Sequence, residues 1–259
     1  MSNTTLPTTF KTICIDGDVI AYRYAAALEK PVNWEGDLWT LHSNANEVIK
    51  EIEDSLDFYA EKFKADNVIV ALTDSVNFRK ELNPLYKSNR KGRKPITLKV
   101  AREYLTAHWD AVMLPRIEGD DVMGIVASEA RNPEDVLLIS VDKDFNSVPS
   151  YFYNMGKDTL VHITPKLADY YHMLQTLTGD SSDGYAGCPG CGPKTAEKLL
   201  GLPREINVNE VWPIVVQAYE KQGQPMEQAV LMARMAYILR GKDYNKETNK
   251  VKLWTPNSL

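Results

Sequence analysis

Short apolar runs alternate with helically spaced apolar residues over the first two thirds of the chain. Four of these runs predict buried strands at 12–16, 68–72, 111–115 and 136–141. Apolar residues that recur every three or four positions predict amphipathic helices at 46–63, 97–109 and 120–130. Strands that alternate with helices in this way indicate an α/β fold with a central, mostly parallel sheet flanked by helices.

The pattern changes after Gly179, where the strand-like runs stop. Helical spacing predicts helices near 193–200, 208–221 and 226–239. Thr164 followed by Pro165 marks an earlier helix start, since proline is favoured at the first helical position. The C-terminal part of the chain is therefore expected to be all-helical.

The composition is that of an ordinary globular chain: of 259 residues, 44% are hydrophobic and 25% are charged. No apolar run approaches the roughly 20 residues of a membrane-spanning helix. The first residues, MSNTTLPTTF, lack the basic and apolar regions of a secretory signal, and three cysteines are too few for a disulfide framework. These features predict a cytoplasmic protein without a membrane partner. A net charge of −5 on its own argues against nucleic-acid binding.

Carboxylates follow each of the four predicted strands. They are Asp16 and Asp18, then Asp74, then Glu118, Asp120 and Asp121, and lastly Asp142 and Asp144. Because ligands of open parallel sheets bind at the carboxyl ends of the strands, these acids are expected to meet at one edge. So many carboxylates repel one another unless cations lie between them, and oxygen ligands without histidine or cysteine favour Mg²⁺ or Mn²⁺. Paired Mg²⁺ ions commonly promote phosphodiester cleavage.

Each acid taken alone also has a structural interpretation. A single aspartate after a strand is usually a turn former or a helix cap. Asp120 and Asp121 hold the positions of ordinary first-turn helix acids. The recurrence of the pattern at four successive strands favours a shared site.

The segment FRKELNPLYKSNRKGRK, residues 78–94, carries seven basic residues and a single acid, Glu81. Its basic side chains can bind phosphates, and the interleaved Phe78 and Tyr86 can stack on nucleobases. The alternative is a solvated, flexible loop. The position of the segment directly after Asp74 favours a function, and the chain is mildly basic once the strand-end acids are set aside as neutralised by metal.

Cys188 and Cys191 have C-x-x-C spacing just before the predicted helix at 193–200. This spacing is typical of a thiol–disulfide centre or of half a zinc site, and it also arises by chance in loops. No second pair of cysteine or histidine residues lies nearby at a suitable spacing, which disfavours zinc.

Six motifs occur in an order that resembles the flap endonuclease and 5′–3′ exonuclease superfamily, which has a PIN-like fold. They are DGD (16–18), TDSVNFRKEL (73–82), YKSNR (86–90), IEGDD (117–121), SVDKDF (140–145) and GDSSDGYAGCPGCGPKTA (179–196). Within that superfamily the chain is most similar to the 5′–3′ exonucleases of short-tailed bacteriophages. The resemblance runs from about residue 13 to residue 200, with a looser tail.

The resemblance implies a role for particular side chains. Lys87 and Arg90 match basic residues of a helical arch that contact the scissile phosphate, and they are expected to be catalytic together with Asp120 and Asp142. Asp18 matches no metal position, so a supporting or structural role is expected for it. The implied metal ligands are Asp16, Asp74, Glu118, Asp120, Asp121, Asp142, Asp144, Asp180 and Asp183.

The resemblance also makes GCPGCGPKTA the G-x-x-G-x-G-x-x-T-A element of a helix–three-turn–helix. In this element glycines let the backbone approach phosphate, and the helix N-terminus supplies N–H donors. Its carbonyls are expected to hold K⁺, and both cysteines fall at variable apolar positions. The implied DNA contacts are Arg79, Lys80, Lys87, Arg90, Lys91, Gly187, Gly190, Gly192, Lys194 and Thr195.

The resemblance implies two regions: a PIN-like catalytic domain at 1–178 with a basic arch at 78–94, and a helix–three-turn–helix DNA-binding region at 179–259. The implied activity is that of a monomeric 5′–3′ exonuclease that needs Mg²⁺, or Mn²⁺ in its place. It would act on the 5′ ends of duplex DNA, and also on RNA–DNA hybrids during primer removal in phage replication.

Three other functions remain open. A structure-specific flap endonuclease would use the same residues on 5′ flaps. A PIN-type ribonuclease would share the sheet acids but would not need the GCPGCGPKT element. A non-catalytic DNA-binding module would lack several of the acids, and this chain keeps all of them.

Overall fold

The computed structural model describes residues 6–256. Its strands are β1 (Thr12–Asp16), β2 (Lys30–Trp34), β3 (Leu38–His42), β4 (Asn67–Ala71), β5 (Val136–Ser140), β6 (Ser150–Asn154), β7 (Thr159–Ile163), β8 (Tyr244–Asn245) and β9 (Lys250–Val251). Its α-helices are α1 (Gly17–Ala27), α2 (Ala45–Phe63), α3 (Arg79–Leu82), α4 (Leu98–His108), α5 (Gly119–Glu129), α6 (Pro165–Thr178), α7 (Pro193–Leu200), α8 (Val208–Lys221) and α9 (Met226–Ala236). None of the described helices combines the length and the apolar character that crossing a membrane requires.

A five-stranded sheet in the order β4–β1–β5–β6–β7 forms the centre of the fold. The first four strands are parallel, and β7 pairs antiparallel with β6. Alternate residues of β1 face opposite cores, because Ile13 and Ile15 pack with α1, α2 and α4 whereas Cys14 packs on the side of α5. The predicted α/β fold with a mostly parallel sheet is therefore confirmed.

The register of the sheet brings three strand ends together. Asp16 at the end of β1 lies opposite Ala71 at the end of β4, and Ile15 lies opposite Ile139 of β5. Side chains that follow these strands consequently start from the same edge of the sheet, as the sequence pattern predicts.

The predicted strand at 111–115 is wrong. The segment meets β4 through a single parallel bridge, in which the Val112 N–H donates to the Val70 carbonyl and the Val112 carbonyl accepts from Leu72. A turn follows at once, with Arg116 in the left-handed region at φ 67°. This turn ends the extended stretch before a ladder can form.

The predicted helices are observed, five of them within one residue of both predicted ends. α6 begins as Pro165 predicts, with the Thr164 hydroxyl accepting the Leu167 N–H at 3.2 Å. α9 is shorter than the predicted 226–239 and ends at Ala236. The chain leaves the helix there because the Tyr237 carbonyl accepts from Arg79 and the Leu239 N–H donates to Asp121.

Other elements carry no clear periodicity in the sequence. α1 buries mostly small residues and starts directly after β1, where Asp16 ends the strand and caps the helix. The hairpin of β2 and β3 is largely exposed, so its strands show no alternation of apolar and polar residues. The antiparallel β6–β7 pair was also not predicted.

Helices α6 to α9 enclose an apolar core of their own. That core takes in Tyr86 from the basic segment 78–94, whereas Ile238, Leu239 and Tyr244 pack into the core beside α5. Contacts thus cross residue 178 in both directions. The division into domains at 1–178 and 179–259 stays a prediction.

Candidate active site

A cavity of about 480 Å³ opens at the carboxyl edge of the sheet. Four of the predicted site acids line it, and cationic side chains from α1 and the basic segment lie around them. The acids are Asp16, Glu118, Asp120 and Asp142, and the cations are Arg23, Lys87 and Arg90. The convergence expected from the strand ends is therefore present for these four carboxylates.

Local hydrogen bonds fix two of these acids. Asp16 accepts the Val19 N–H at 3.0 Å and the Ser140 hydroxyl at 2.8 Å. Asp142 accepts the Asp144 N–H at 2.9 Å, and its own N–H donates to the Ser140 hydroxyl at 3.1 Å. Ser140 thus connects the carboxyl ends of β1 and β5.

Four aspartates in and beside this cavity have raised pKa values, so they hold their protons more tightly than free carboxyls do. Burial, opposed by hydrogen bonds and reinforced by Asp142, raises the pKa of Asp16 to about 6. Burial and Asp142 raise the pKa of Asp144 to about 7. Burial followed by neighbouring carboxylates also raises the pKa of Asp120 and of Asp142. If all these acids ionised, the cavity would carry negative charge that the protein compensates only in part.

Hard oxygen donors under mutual repulsion fit a divalent cation such as Mg²⁺. Within residues 6–256, however, no three acidic, histidine or cysteine side chains already surround one point as a metal site would require. The carboxylates line the cavity without converging on a single position. Metal binding is supported by the chemistry of the donors, and it stays a proposal.

A hydrogen-bond network joins the basic segment to Glu118. Lys87, at φ 54°, pairs with Glu118 and lies 3.6 Å from Asp183. The Tyr86 hydroxyl contacts Glu118 at 2.6 Å and Asp183 at 3.0 Å, and Arg90 pairs with Asp183. Burial alone would raise the pKa of Glu118, but the charges of Lys87 and Arg79 outweigh it and hold that pKa at about 2.

The sequence predicts that Arg79 contacts DNA, which requires an accessible side chain. Arg79 is instead buried, with only 3% of its surface exposed. Its guanidinium grips Asp121 with two bonds of 2.7 and 2.8 Å and donates to the carbonyls of Met235 and Tyr237. The Asp121 carboxylate also accepts the N–H groups of Glu118 and Leu239. Two predictions need correction, the DNA contact of Arg79 and the metal ligation by Asp121. Arg79 is buried and links α5 to residues 235–237. The oxygens of Asp121 are occupied by protein donors, so Asp121 is not placed to bind metal.

The two predicted nucleobase-stacking residues are buried as well. Phe78 and Tyr86 are each 3% exposed and belong to the apolar cores. Lys80, Arg90 and Lys91 of the same segment are exposed. The basic segment is therefore anchored by its first part and open to solvent in its later part, and it contains turns and the short α3 rather than a helical arch.

Asp74 lies beside the first cavity, and Asp18 lies on its wall. Asp74 accepts the N–H groups of Arg116 at 2.8 Å and Ser75 at 2.7 Å and does not line the first cavity. Asp18 pairs with Arg102 and accepts the Thr73 N–H at 2.8 Å. The structure thus separates Asp74 from the four clustered acids, and it gives Asp18 a cationic partner.

The remaining predicted acids lie beyond Asp142 along the same edge. Asp144 accepts the Gln175 side-chain amide at 2.8 Å. Asp180 accepts the N–H and the hydroxyl of Ser182 and lies 3.5 Å from the Lys143 ammonium. Lys143 was not predicted, and the signal was available, because it stands between two candidate ligands in SVDKDF.

Tyr22 and Arg23 also line the cavity and were missed. Both lie on α1, a helix that sequence periodicity does not reveal. Its start directly after Asp16 places positions 19, 22 and 23 beside the acids. Recognition of a helix after the first strand would have identified them.

The predicted helix–three-turn–helix loop approaches α6 very closely. Gly187 has φ 68°, and a Cβ there would lie 2.3 Å from the Gly179 nitrogen, so no larger residue fits. Lys194 and Thr195 are exposed in the first turn of α7. Gly190 and Gly192 are open to solvent on the same loop.

Cys188 and Cys191 point into the helical core and are free thiols. Burial, with the nearby Cys191, raises the pKa of Cys188 to about 11. A reactive thiol needs the opposite shift. The geometry supports their interpretation as apolar filler residues.

Comparisons with known proteins agree with this geometry. A family model described as 5′–3′ exonuclease, N-terminal resolvase-like domain matches residues 11–166. The exodeoxyribonuclease of Enterobacteria phage T3 is 32% identical over 95% of this chain and 93% of its own length. The exonuclease of Escherichia phage T7 is 32% identical over 94% and 93%.

A bacteriophage T5 flap endonuclease, solved as a pseudo-enzyme–product complex with DNA and metal ions, shares the fold. Its TM-score is 0.60 over 87% of this chain and 88% of that one, at 16% sequence identity. The PIN-like fold and the relationship expected from the sequence motifs are thereby confirmed. The chain belongs to the 5′–3′ exonuclease family.

Proposed function

We propose that the protein removes nucleotides from the 5′ ends of duplex DNA in a reaction that requires Mg²⁺ or Mn²⁺. The observation that carries the proposal is the cavity in which the buried Asp16 and the half-buried Asp120 and Asp142 lie beside Lys87 and Arg90 with incomplete charge compensation. Phosphodiester cleavage needs such a combination, because cations must offset charge on both the acids and the phosphate.

The donor set divides into two neighbouring groups. Asp16, Glu118, Asp120 and Asp142 would hold one ion, and Asp144, Asp180 and Asp183 would hold a second, with Asp183 joined to Glu118 through Tyr86 and Lys87. Divalent ions bound there would lower the pKa of water and stabilise charge on the phosphodiester oxygens. Asp121 is left out because Arg79 occupies it, and Asp74 stays a candidate on family resemblance only.

Lys87 and Arg90 would bind and orient the scissile phosphate. Both line the cavity; the half-buried Lys87 is held by Glu118 and Asp183, and the exposed Arg90 is held by Asp183. When DNA binds, a substrate phosphate would replace the carboxylate partner of Lys87 or Arg90. Each cation would therefore keep an anionic partner. Lys80 and Lys91 are exposed on the same segment and would contact the DNA backbone.

The loop that carries Gly190 and Gly192 would contact the duplex away from the cut, whereas the predicted contact Gly187 is buried against the end of α6. Exposed backbone, Gly192 at the cap of α7, and the Lys194 and Thr195 side chains present donors that suit phosphate. K⁺ at the loop carbonyls, action on RNA–DNA hybrids, a monomeric state and a role in primer removal are parts of this proposal that rest on family resemblance.

A structure-specific 5′ flap endonuclease is the second candidate. The solved T5 relative carries that name and shares the fold. The same cavity would serve both reactions, and they differ in the position of the cut.

One experiment tests both candidates. A 5′-labelled blunt duplex and a 5′-flapped duplex are incubated with Mg²⁺ or with EDTA, and the products are sized. Mononucleotides from the blunt end that require Mg²⁺ are expected. An intact flap as the main product would favour the endonuclease, and equal cleavage in EDTA would overturn the metal-dependent mechanism.

A further inference from the structure

A second cavity of about 510 Å³ lies directly beside the active-site cavity. The two share Asp18, Tyr22 and Thr73 as a common wall. The remaining lining residues are Asp74, Ser75, Lys94, Leu98, Arg102 and Met113. Its volume falls within the range of about 300–1,000 Å³ typical of small-ligand sites.

The second cavity combines an apolar wall with a free cation. Tyr22 is 51% exposed and Met113 is 45% exposed, so the walls offer apolar surface to a planar ring. The Lys94 ammonium is exposed and makes no ion pair among residues 6–256. These surfaces suit an aromatic ring system and an anion together, which is the chemistry of a nucleotide.

The two acids of the wall do not oppose an anion as free carboxylates would. Asp18 is paired with Arg102 and accepts the Thr73 N–H. Asp74 accepts N–H groups from Arg116 and Ser75 together with the Ser75 hydroxyl. Lys94 remains as the cation without an internal partner.

The basic segment connects the two cavities. It passes from Lys87 and Arg90 at the first to Lys94 at the second, and its far end is fixed by Arg93 and the Ile96 N–H, which both bind Glu29. A polynucleotide strand that crosses the clustered acids beneath this segment therefore leads into the second cavity.

We propose that the second cavity binds the 5′-terminal nucleotide, with its base against Tyr22, Leu98 and Met113 and its 5′-phosphate on Lys94. This inference rests on the proposed function and deepens it. Water forms the new bond to phosphorus, the bond from phosphorus to the 3′ oxygen of the seated nucleotide breaks, and that oxygen takes a proton. Seating of one nucleotide places the first internucleotide bond at the acids and so sets the length of the product.

Kinetics on two kinds of end provide the first test. Lys94→Ala is expected to lower kcat/KM about tenfold on 5′-phosphorylated duplexes and less on 5′-hydroxyl duplexes, because one charge contact of about 1.4 kcal/mol is lost. Lys157→Ala removes an exposed ammonium at the β6–β7 turn and serves as the control. An unchanged ratio between the two ends in Lys94→Ala would overturn the phosphate assignment.

Filling the cavity provides the second test. Met113→Trp is expected to slow mononucleotide release at least tenfold, whereas Val161→Trp, at a similarly exposed position of β7, is expected to leave it unchanged. The same rate and product length in Met113→Trp would show that the terminal nucleotide lies elsewhere.

Photocrosslinking separates this inference from the proposed function. A duplex with 5-iododeoxyuridine at its 5′ terminus is irradiated with the Asp142→Asn protein and Mg²⁺, and the crosslinked peptide is mapped. A crosslink at Tyr22 is expected, and it would support the cavity even if the native protein failed to cleave DNA. Normal cleavage together with a crosslink at another site would overturn the cavity and leave the nuclease assignment standing.

Discussion

Two groups of carboxylates at the same edge of the sheet differ in how their charge is compensated. In the first group Asp16 is buried and Asp120 and Asp142 are half-buried, and desolvation followed by repulsion from neighbouring carboxylates raises their pKa values. In the second group Glu118 and Asp121 are buried and Asp183 is half-buried, and they are paired with Lys87, Arg79 and Arg90. The two groups are similarly enclosed, and the cationic partner is what distinguishes them.

The comparison shows how to distinguish a candidate metal ligand from a structural acid within one motif. In IEGDD, Asp120 points into the cavity, whereas its neighbour Asp121 points away from it and binds Arg79. An acid such as Asp121, whose two oxygens are both held by one buried arginine, stabilises the scaffold. An acid without a cation of its own marks the place where one from solution is needed.

The sharpest test of the first group is removal of one charge from it. Asp120→Asn or Asp142→Asn is expected to lower turnover by about 10³-fold or more while the dissociation constant for duplex DNA changes little, since metal binding is lost but the remote backbone contacts remain. Single-turnover cleavage and fluorescence anisotropy measure the two quantities. Asp158→Asn, which lies at the exposed β6–β7 turn, is the control, and near-normal turnover in either site variant would contradict the assignment.

The second group is tested by stability rather than by activity. Asp121→Asn is expected to cost about 3–5 kcal/mol of the free energy of unfolding, because it leaves the buried Arg79 without its carboxylate. Asp120→Asn is expected to cost far less or to stabilise the protein in EDTA. Urea denaturation in EDTA compares the two variants. Equal losses in the free energy of unfolding would remove the distinction between a candidate metal ligand and a structural acid.

Lys87 connects the two groups and acts on the substrate in the proposed mechanism. Lys87→Ala is expected to reduce kcat on the order of 10²-fold with a much smaller change in affinity, because its charge stabilises the reacting phosphate. Lys80→Ala, which alters an exposed backbone contact, is expected to weaken binding at low salt with kcat nearly unchanged. Rapid-quench kinetics and salt titration separate the effects, and an unchanged kcat in Lys87→Ala would remove Lys87 from the site.

The raised pKa values predict a link between pH, metal and stability. Asp16 and Asp144 have folded-state pKa values of about 6 and 7, above those of unfolded aspartate. Their contribution to stability is thus fully present below the unfolded pKa of about 4 and is lost as the pH rises through about 6 to 7.

In EDTA, the melting temperature is therefore expected to fall by several degrees through this contribution between pH 5 and pH 7.5. Mg²⁺ should restore it at pH 7.5 and have little effect at pH 5. The Asp16→Asn variant should show a weaker dependence. Calorimetry at both pH values measures this, and an equal Mg²⁺ effect at pH 5 and pH 7.5 would contradict it.

The smallest effect is expected at the C-x-x-C pair. Cys188→Ser combined with Cys191→Ser is expected to keep most of the activity and to lose about 1–3 kcal/mol of stability, because two hydroxyls enter an apolar core. Activity assays with and without reductant test this. Complete loss of cleavage, or dependence on reductant, would restore a redox or zinc role.

The sequence predicts the convergence of Asp16, Glu118, Asp120 and Asp142 well, because a parallel sheet aligns whatever follows its strands. It does not predict the partners of those acids. The pairing of Arg79 with Asp121 depends on residues 235–239, which lie far along the chain, and no local pattern reports it. For the same reason Phe78 and Tyr86 look like exposed stacking residues in the sequence although tertiary packing buries them.

Surface elements escape prediction for a different reason. The β2–β3 hairpin exposes both faces, so burial imposes no alternation on its sequence. α1 packs through small residues, and its periodicity is correspondingly weak. Tyr22 and Arg23 on that helix were missed along with it, although they line the candidate site.

The hydrogen bonds of Arg79 have a consequence for synthesis on the ribosome. Its acceptors at Met235 and Tyr237, and the Leu239 N–H that completes the Asp121 shell, are translated more than 150 residues after Arg79 itself. Until they emerge, the guanidinium of Arg79 and the carboxylate of Asp121 are incompletely bonded. A nascent chain therefore completes the hydrogen bonds around this pair only after residues 235–239 have been synthesised.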